Sequence, residues 1–159
     1  MMTIFRRVLS VGSLVLAMQA GVACSHAPQP LCERVSGIRS IPMKGQGQDE
    51  AYLALMNAGE AAIPCLIDKI TDVTPMVDPR MAPTYQGIVV GDVAIIMLVR
   101  ITEMDFPELL PDEVKEDYRV RGVYAYFDYT AEPANREALQ HRWREWWKQH
   151  HTNDRSDNS

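Results

Sequence analysis

Positive charge is in short supply in this chain of 159 residues: 16 Lys and Arg stand against 21 Asp and Glu, for a formal charge of −5. Tracking a phosphate backbone needs a basic face, so nucleic acid is excluded as a main partner. The chain also lacks the signatures of common catalytic sites: no G-x-S-x-G, no H-E-x-x-H, no Walker loop and no dinucleotide glycine pattern. Histidine is sparse, at His26, His141 and the adjacent pair His150 and His151. Neighbouring residues point apart on a helix, so no metal and no cofactor is expected. Aromatic residues make up only 8%. What is present, 47% apolar and 23% charged residues, is the composition of an ordinary globular protein of one domain.

The N-terminal stretch is the most legible. Arg6 and Arg7 precede an uncharged, mostly apolar run from Val8 to Ala23, and the first acid is Glu33. A basic region, an apolar region and small residues at the end read as a secretory signal peptide over residues 1–23. The run is broken by Ser10, Gly12, Ser13 and Gln19 and is shorter than the ~20 apolar residues a membrane span needs. Removing it takes away both arginines and leaves a mature charge of −7. Such a domain suits a basic protein partner better than anionic headgroups.

Gly21, Val22, Ala23 and Cys24 resemble the bacterial lipobox, in which the cysteine after the cut receives the lipid. That resemblance implies lipidation at Cys24 and membrane attachment through the lipid alone. With Ser25 following, it also implies the periplasmic face of the outer membrane. Ordinary signal-peptidase cleavage after Ala23 would instead give a soluble periplasmic protein.

Three cysteines are an odd number for an exported protein. If Cys24 carries lipid, Cys32 and Cys65 remain as a disulfide pair in an oxidising compartment. The alternative pairs Cys24 with Cys32 and buries Cys65 as a thiol. Cys65 follows Pro64 on an apolar helix face, which suits a core position better than a nucleophile.

Beyond the signal, residues 24–48 are rich in Pro, Ser, Gly and Gln and read as a lipidated tether or extended arm. A helical domain is expected over 49–150, with a disordered tail at 151–159. Asp49 caps a helix over about 49–57, ended by Gly59. A second runs from about 61 to 71, with Ile63, Leu66, Ile67 and Ile70 at i, i+3, i+4 and i+7. Pro75, Pro79 and Pro83 keep 72–87 from being helical throughout. A buried helix spans 93–103, with Asp92 as its cap and Arg100 at its exposed end. Residues 112–117 add an acidic turn. The stretch 120–129 reads as a short strand or an ordered loop. The last helix, 133–150, has Leu139, Trp143, Trp146 and Trp147 as its apolar stripe, with Arg136, Gln140, Arg144 and Lys148 facing out. The fold class is therefore mostly α: a compact bundle of about four or five helices with a proline-rich loop.

Gly59-Glu60-Ala61-Ala62-Ile63-Pro64-Cys65-Leu66-Ile67 resembles the helix-turn-helix of HEAT-like repeats, and Gly91-Asp92-Val93-Ala94 resembles the start of a following unit. Asn135-Arg136 with Trp143-Arg144-Glu145-Trp146-Trp147 resembles the closing helix of small bacterial exported proteins carrying these phrases. The resemblance implies HEAT-like helix pairs and a protein-binding role without catalytic residues. At most one and a half repeats are visible, short of the three or so a solenoid needs.

Function is thus expected to be non-enzymatic: a tethered module binding an envelope or secreted protein, with an immunity-type inhibitor of a secreted toxin as one example. Expected contact residues are Arg80, Tyr85, Tyr124 and Tyr126, on the two segments a helical core cannot fully bury. The alternative is a small envelope hydrolase using paired carboxylates, with Asp68 and Asp72 at i, i+4 and Asp92 as candidates.

Overall fold

A computed structural model describes residues 30–42, 49–80 and 86–156, with side chains to His151. Cys24 and Tyr85 lie outside the described residues. Six α-helices make up the fold, with two short 3₁₀ turns, and no β-strand occurs among the described residues. No helix among them is long and apolar enough to cross a membrane.

The segment expected to be a tether enters the core. Leu31–Gly37 forms a 3₁₀ turn, and Cys32, Val35, Ile38 and Ile41 are all buried. Their spacing of three matches the 3.0-residue period of a 3₁₀ turn, a signal hidden by the proline and glycine around it. The Ile41 amide donates to Pro79 O at 2.8 Å, tying this segment to the distant proline-rich loop. Cys32 and Cys65 form a disulfide with their Cα atoms 5.9 Å apart.

Helix α1 (Glu50–Ala58) starts at Asp49, whose carboxylate accepts from the amides of Tyr52, Arg39 and Ser40. It ends at Gly59, whose φ of 53° lies in the region only glycine enters freely. The 3₁₀ turn Gly59–Ala62 leads into α2 (Ile63–Lys69), where Pro64 is tolerated because it stands in the first turn. Ile63, Leu66, Ile67 and Ile70 are buried, as the spacing requires.

Helix α3 (Val90–Thr102) is central, burying Val93, Ala94, Ile95, Met97 and Leu98. It crosses α2 closely at Gly91, where a Cβ would stand 2.2 Å from Ile70 O. Two helices, α4 (Asp112–Arg121) and α5 (Val123–Thr130), replace the strand or loop expected at 120–129. Val123, Tyr126, Phe127 and Thr130 are spaced i, i+3, i+4, i+7, a helical pattern that Gly122 (φ 60°) separates from α4. Helix α6 (Pro133–Ser156) runs past the end expected at 150. Leu139 and Trp143 are buried, and Trp146 and Trp147 pack partly exposed against the same core. Arg136 and Gln140, expected to face out, are buried instead. They share the stripe of Leu139 and Trp143 at spacings of three and four, so burial follows from register.

Candidate functional site

The polar centre of the molecule is Asp92, a residue expected to be a helix cap. It stands inside the first turn of α3, and its carboxylate reaches back to the Val89 amide at 3.0 Å. It is buried because Gly91 lets α3 approach α2 so closely, and α5 and α6 close over it. The Tyr126 hydroxyl donates to Asp92 Oδ1 at 2.8 Å, and Arg136 Nη2 pairs with the same oxygen at 2.9 Å. Burial first, then the neighbouring carboxylate, pushes the Tyr126 phenol well above its usual range, so it stays a hydrogen-bond donor. Arg136 Nη1 is buried without a hydrogen-bond partner. One turn along α6, Gln140 Nε2 donates to Ile67 O at 2.9 Å and Asp68 O at 3.2 Å, closing the end of α2.

Tyr126 is 1% exposed, which corrects its expected place among the contact residues: the ring packs edge-on to Phe106 and Phe127. Arg80 is corrected in the same sense. Its guanidinium binds Asp78 through two nitrogens, at 2.9 and 2.6 Å, and lies 5.1 Å from the Phe127 ring centroid. With its side chain 15% exposed, Arg80 clamps the proline-rich loop onto α5. Tyr124 is 45% exposed on α5. Tyr124, Tyr126 and Arg80 therefore do not make one surface, because helix α5 turns successive residues to different sides.

The same loop is held at its base by an antiparallel bridge between Pro75 and Val89. The Met76 amide donates to Ile88 O at 3.1 Å and the Val90 amide to Thr74 O at 3.0 Å. Asp72 accepts from the Thr74 amide at 3.0 Å and faces Lys69 at 3.4 Å. Burial raises its carboxyl, but these bonds outweigh that and leave it below the usual range. Pinned this way, the loop still presents Val73 at 59% and Val77 at 77% exposure. Val73 also borders a cleft of about 230 Å³, together with Gly87, Val89, Thr130 and Ala131, that reaches Asp92 and Arg136.

Asp68, the other carboxylate of the expected pair, is exposed and bridges to Arg144 at 2.7 Å. Asp68, Asp72 and Asp92 thus have separate cationic partners rather than a shared reaction centre. Among the described residues no cluster of three or more His, Cys, Asp or Glu side chains is placed to hold a metal.

Arg100 is not the exposed end of α3. It is partly buried, and its Nη1 donates to Pro42 O at 2.8 Å and Tyr52 Oη at 3.0 Å.

Family models, curated proteins and solved structures all fail to match this chain. Its chemistry therefore rests on its own residues. The Asp92–Tyr126–Arg136 cluster was missed in the sequence. Its signal was an aspartate heading a run of apolar residues and an arginine at stripe positions relative to Leu139 and Trp143.

Proposed function

We propose that this protein is a non-enzymatic binding module of the bacterial envelope, held to the periplasmic face of the outer membrane by lipid on Cys24. It takes its protein partner on the loop that runs from Val73 to Val89. The observation that carries this reading is that the described parts of this loop, residues 73–80 and 86–89, are both fixed and apolar at their surface. The Pro75–Val89 bridge and the Arg80 clamp hold these parts, while Val73 and Val77 stand in solvent and Val73 borders a cleft. Ordering such a loop in advance removes much of the entropy cost of association, and exposed apolar side chains gain most from being covered. In the HEAT-like reading α1 and α2 form one unit and α3 opens the next, with the loop between α2 and α3 as the recognition element.

The test is a photo-crosslinking amino acid placed in living cells at Val73, at Val77 and, as a control, at the exposed Val120 of α4. Discrete adducts are expected from the two loop positions and not from the control, and the adduct identifies the partner by mass spectrometry. Adducts from Val120 alone would move the surface elsewhere, and none from any position would remove the reading. Fractionation of the same cells should place the wild type in membranes and Cys24→Ala in the soluble fraction.

A further inference from the structure

Arg100 is a partly buried cation with no anion. Both hydrogens of its Nη1 go to neutral oxygens, the carbonyl of Pro42 and the hydroxyl of Tyr52. The guanidinium carbon sits 5.7 Å from the Tyr52 ring centroid. No carboxylate among the described residues lies within ion-pair distance. The remaining edge of the guanidinium, Nε and Nη2, is the side-on fork that matches the two oxygens of a carboxylate. Neither of those nitrogens makes a hydrogen bond among the described residues, where Arg100 bonds through Nη1 alone. Arg100 lines the largest cavity described, about 530 Å³, together with Tyr52, Met56, Val99, Glu103 and Met104.

The walls decide what such a carboxylate would be attached to. Met56, Val99 and Met104 are partly buried apolar side chains, and methionine adapts its shape to what it covers. Glu103 brings the opposite charge to the same cavity. It ends α3 with φ 54°, a left-handed conformation uncommon for a non-glycine residue. Arg100 and Glu103 are three residues apart, yet they do not pair with each other; each is left to meet something else. A simple fatty acid would use the arginine and the apolar wall but would leave the glutamate facing a methylene chain. A peptide end uses all three.

We propose that this cavity binds the C-terminus of a short peptide with an apolar last residue. The α-carboxylate lies on the Arg100 fork, the last side chain on Met56, Val99 and Met104, and a backbone N–H or amino group on Glu103. The volume exceeds what one amino acid fills and falls in the usual range of small-ligand sites. The site is separate in its residues from the Val73–Val89 loop and stands whether or not that loop binds a protein.

The experiment is an NMR titration of the purified protein with three probes: the tripeptide Gly-Ala-Leu, the same tripeptide with an amidated C-terminus, and free leucine. The free-acid tripeptide is expected to shift resonances of residues 52–56 and 99–104. Amidation should weaken binding by at least about tenfold, the loss of a bidentate charged contact. Free leucine binding as tightly as the tripeptide would support the carboxylate site with an amino acid as its source. Equal binding of acid and amide, shifts confined to other residues, or no binding of the acid at millimolar concentration would overturn the proposal. This comparison needs only the wild type. Arg100→Lys, which keeps the charge but removes the fork, should reduce the preference for acid over amide in a sample whose NMR spectrum shows it folded. An unchanged preference in that variant would also overturn it.

Discussion

Asp92 accepts hydrogen bonds from three separate places in the chain: the Val89 amide, the Tyr126 hydroxyl and the Arg136 guanidinium. Removing each donor has a different consequence. Tyr126→Phe deletes one hydrogen bond but leaves the carboxylate its cation, and should cost about 1–2 kcal/mol. Arg136→Ala leaves a buried carboxylate with no counter-charge and should cost about 3–5 kcal/mol. Urea denaturation of the two variants checks the order, and similar losses at both would mean that charge does not hold this cluster. The unpartnered Arg136 Nη1 keeps the pair from being fully satisfied. Its main effect is then to specify how α3, α5 and α6 meet rather than to add much net stability.

At the scale of elements, starts and stops are set by local chemistry, and Asp49 is the best example. Burial raises its carboxyl, but the amides of Tyr52, Arg39 and Ser40 together hold it below its ordinary value of 3.8. A carboxyl depressed in the folded state contributes stability that is fully present above its unfolded pKa and is lost as pH falls through the lower folded value. Asp49→Ala should therefore cost about 1–2 kcal/mol near pH 7. Its gap to wild type should shrink as the pH falls below the ordinary carboxylate range. Denaturation midpoints from pH 7 to pH 2 give the measurement, and a gap constant across that range would contradict the cap. At α4 and α5 the stops are equally local: Gly122 divides two helices that would otherwise read as one amphipathic run, and Arg121 pairs with both Asp117 and Asp128 across the corner.

Over the whole molecule, the disulfide joins the N-terminal segment to α2 across a sequence separation of 33. Cross-linking a loop of that length restricts the unfolded chain by about 3–4 kcal/mol in the chain-entropy treatment, a large share of a small domain's stability. The double variant Cys32→Ser/Cys65→Ser should lose about that much in guanidinium denaturation, and reduction of the wild type should match it. Because Val35, Ile38 and Ile41 remain apolar, the segment should dock in the variant while it is folded. A variant as stable as the wild type would show that the packing of residues 31–42 alone orders the segment.

Much of this architecture was legible in the residues themselves. The period of Ile63, Leu66, Ile67 and Ile70 places a helix with one buried face, Asp49 and Gly59 bound its predecessor, and the Cys32–Cys65 pairing follows once Cys24 is set aside. These are local or arithmetical properties, carried by a few neighbouring positions. Burial of polar residues is a different matter. Nothing near Asp92 announces Arg136, which lies 44 positions along the chain and becomes its partner only because α6 packs on α2. Tyr126 reads as a contact residue and Arg100 as an exposed helix end. The first is enclosed by Phe106, Phe127 and Asp92, and the second is turned toward Pro42 and Tyr52 by a segment that reads as a tether. The sequence by itself determined the mostly helical class and the helices with a clear buried face, and it left two cysteine pairings and the state of 120–129 open. Tertiary structure alone decided which charges are buried and which cavity Arg100 faces, because those depend on contacts between residues whose separation in the chain carries no periodic signal.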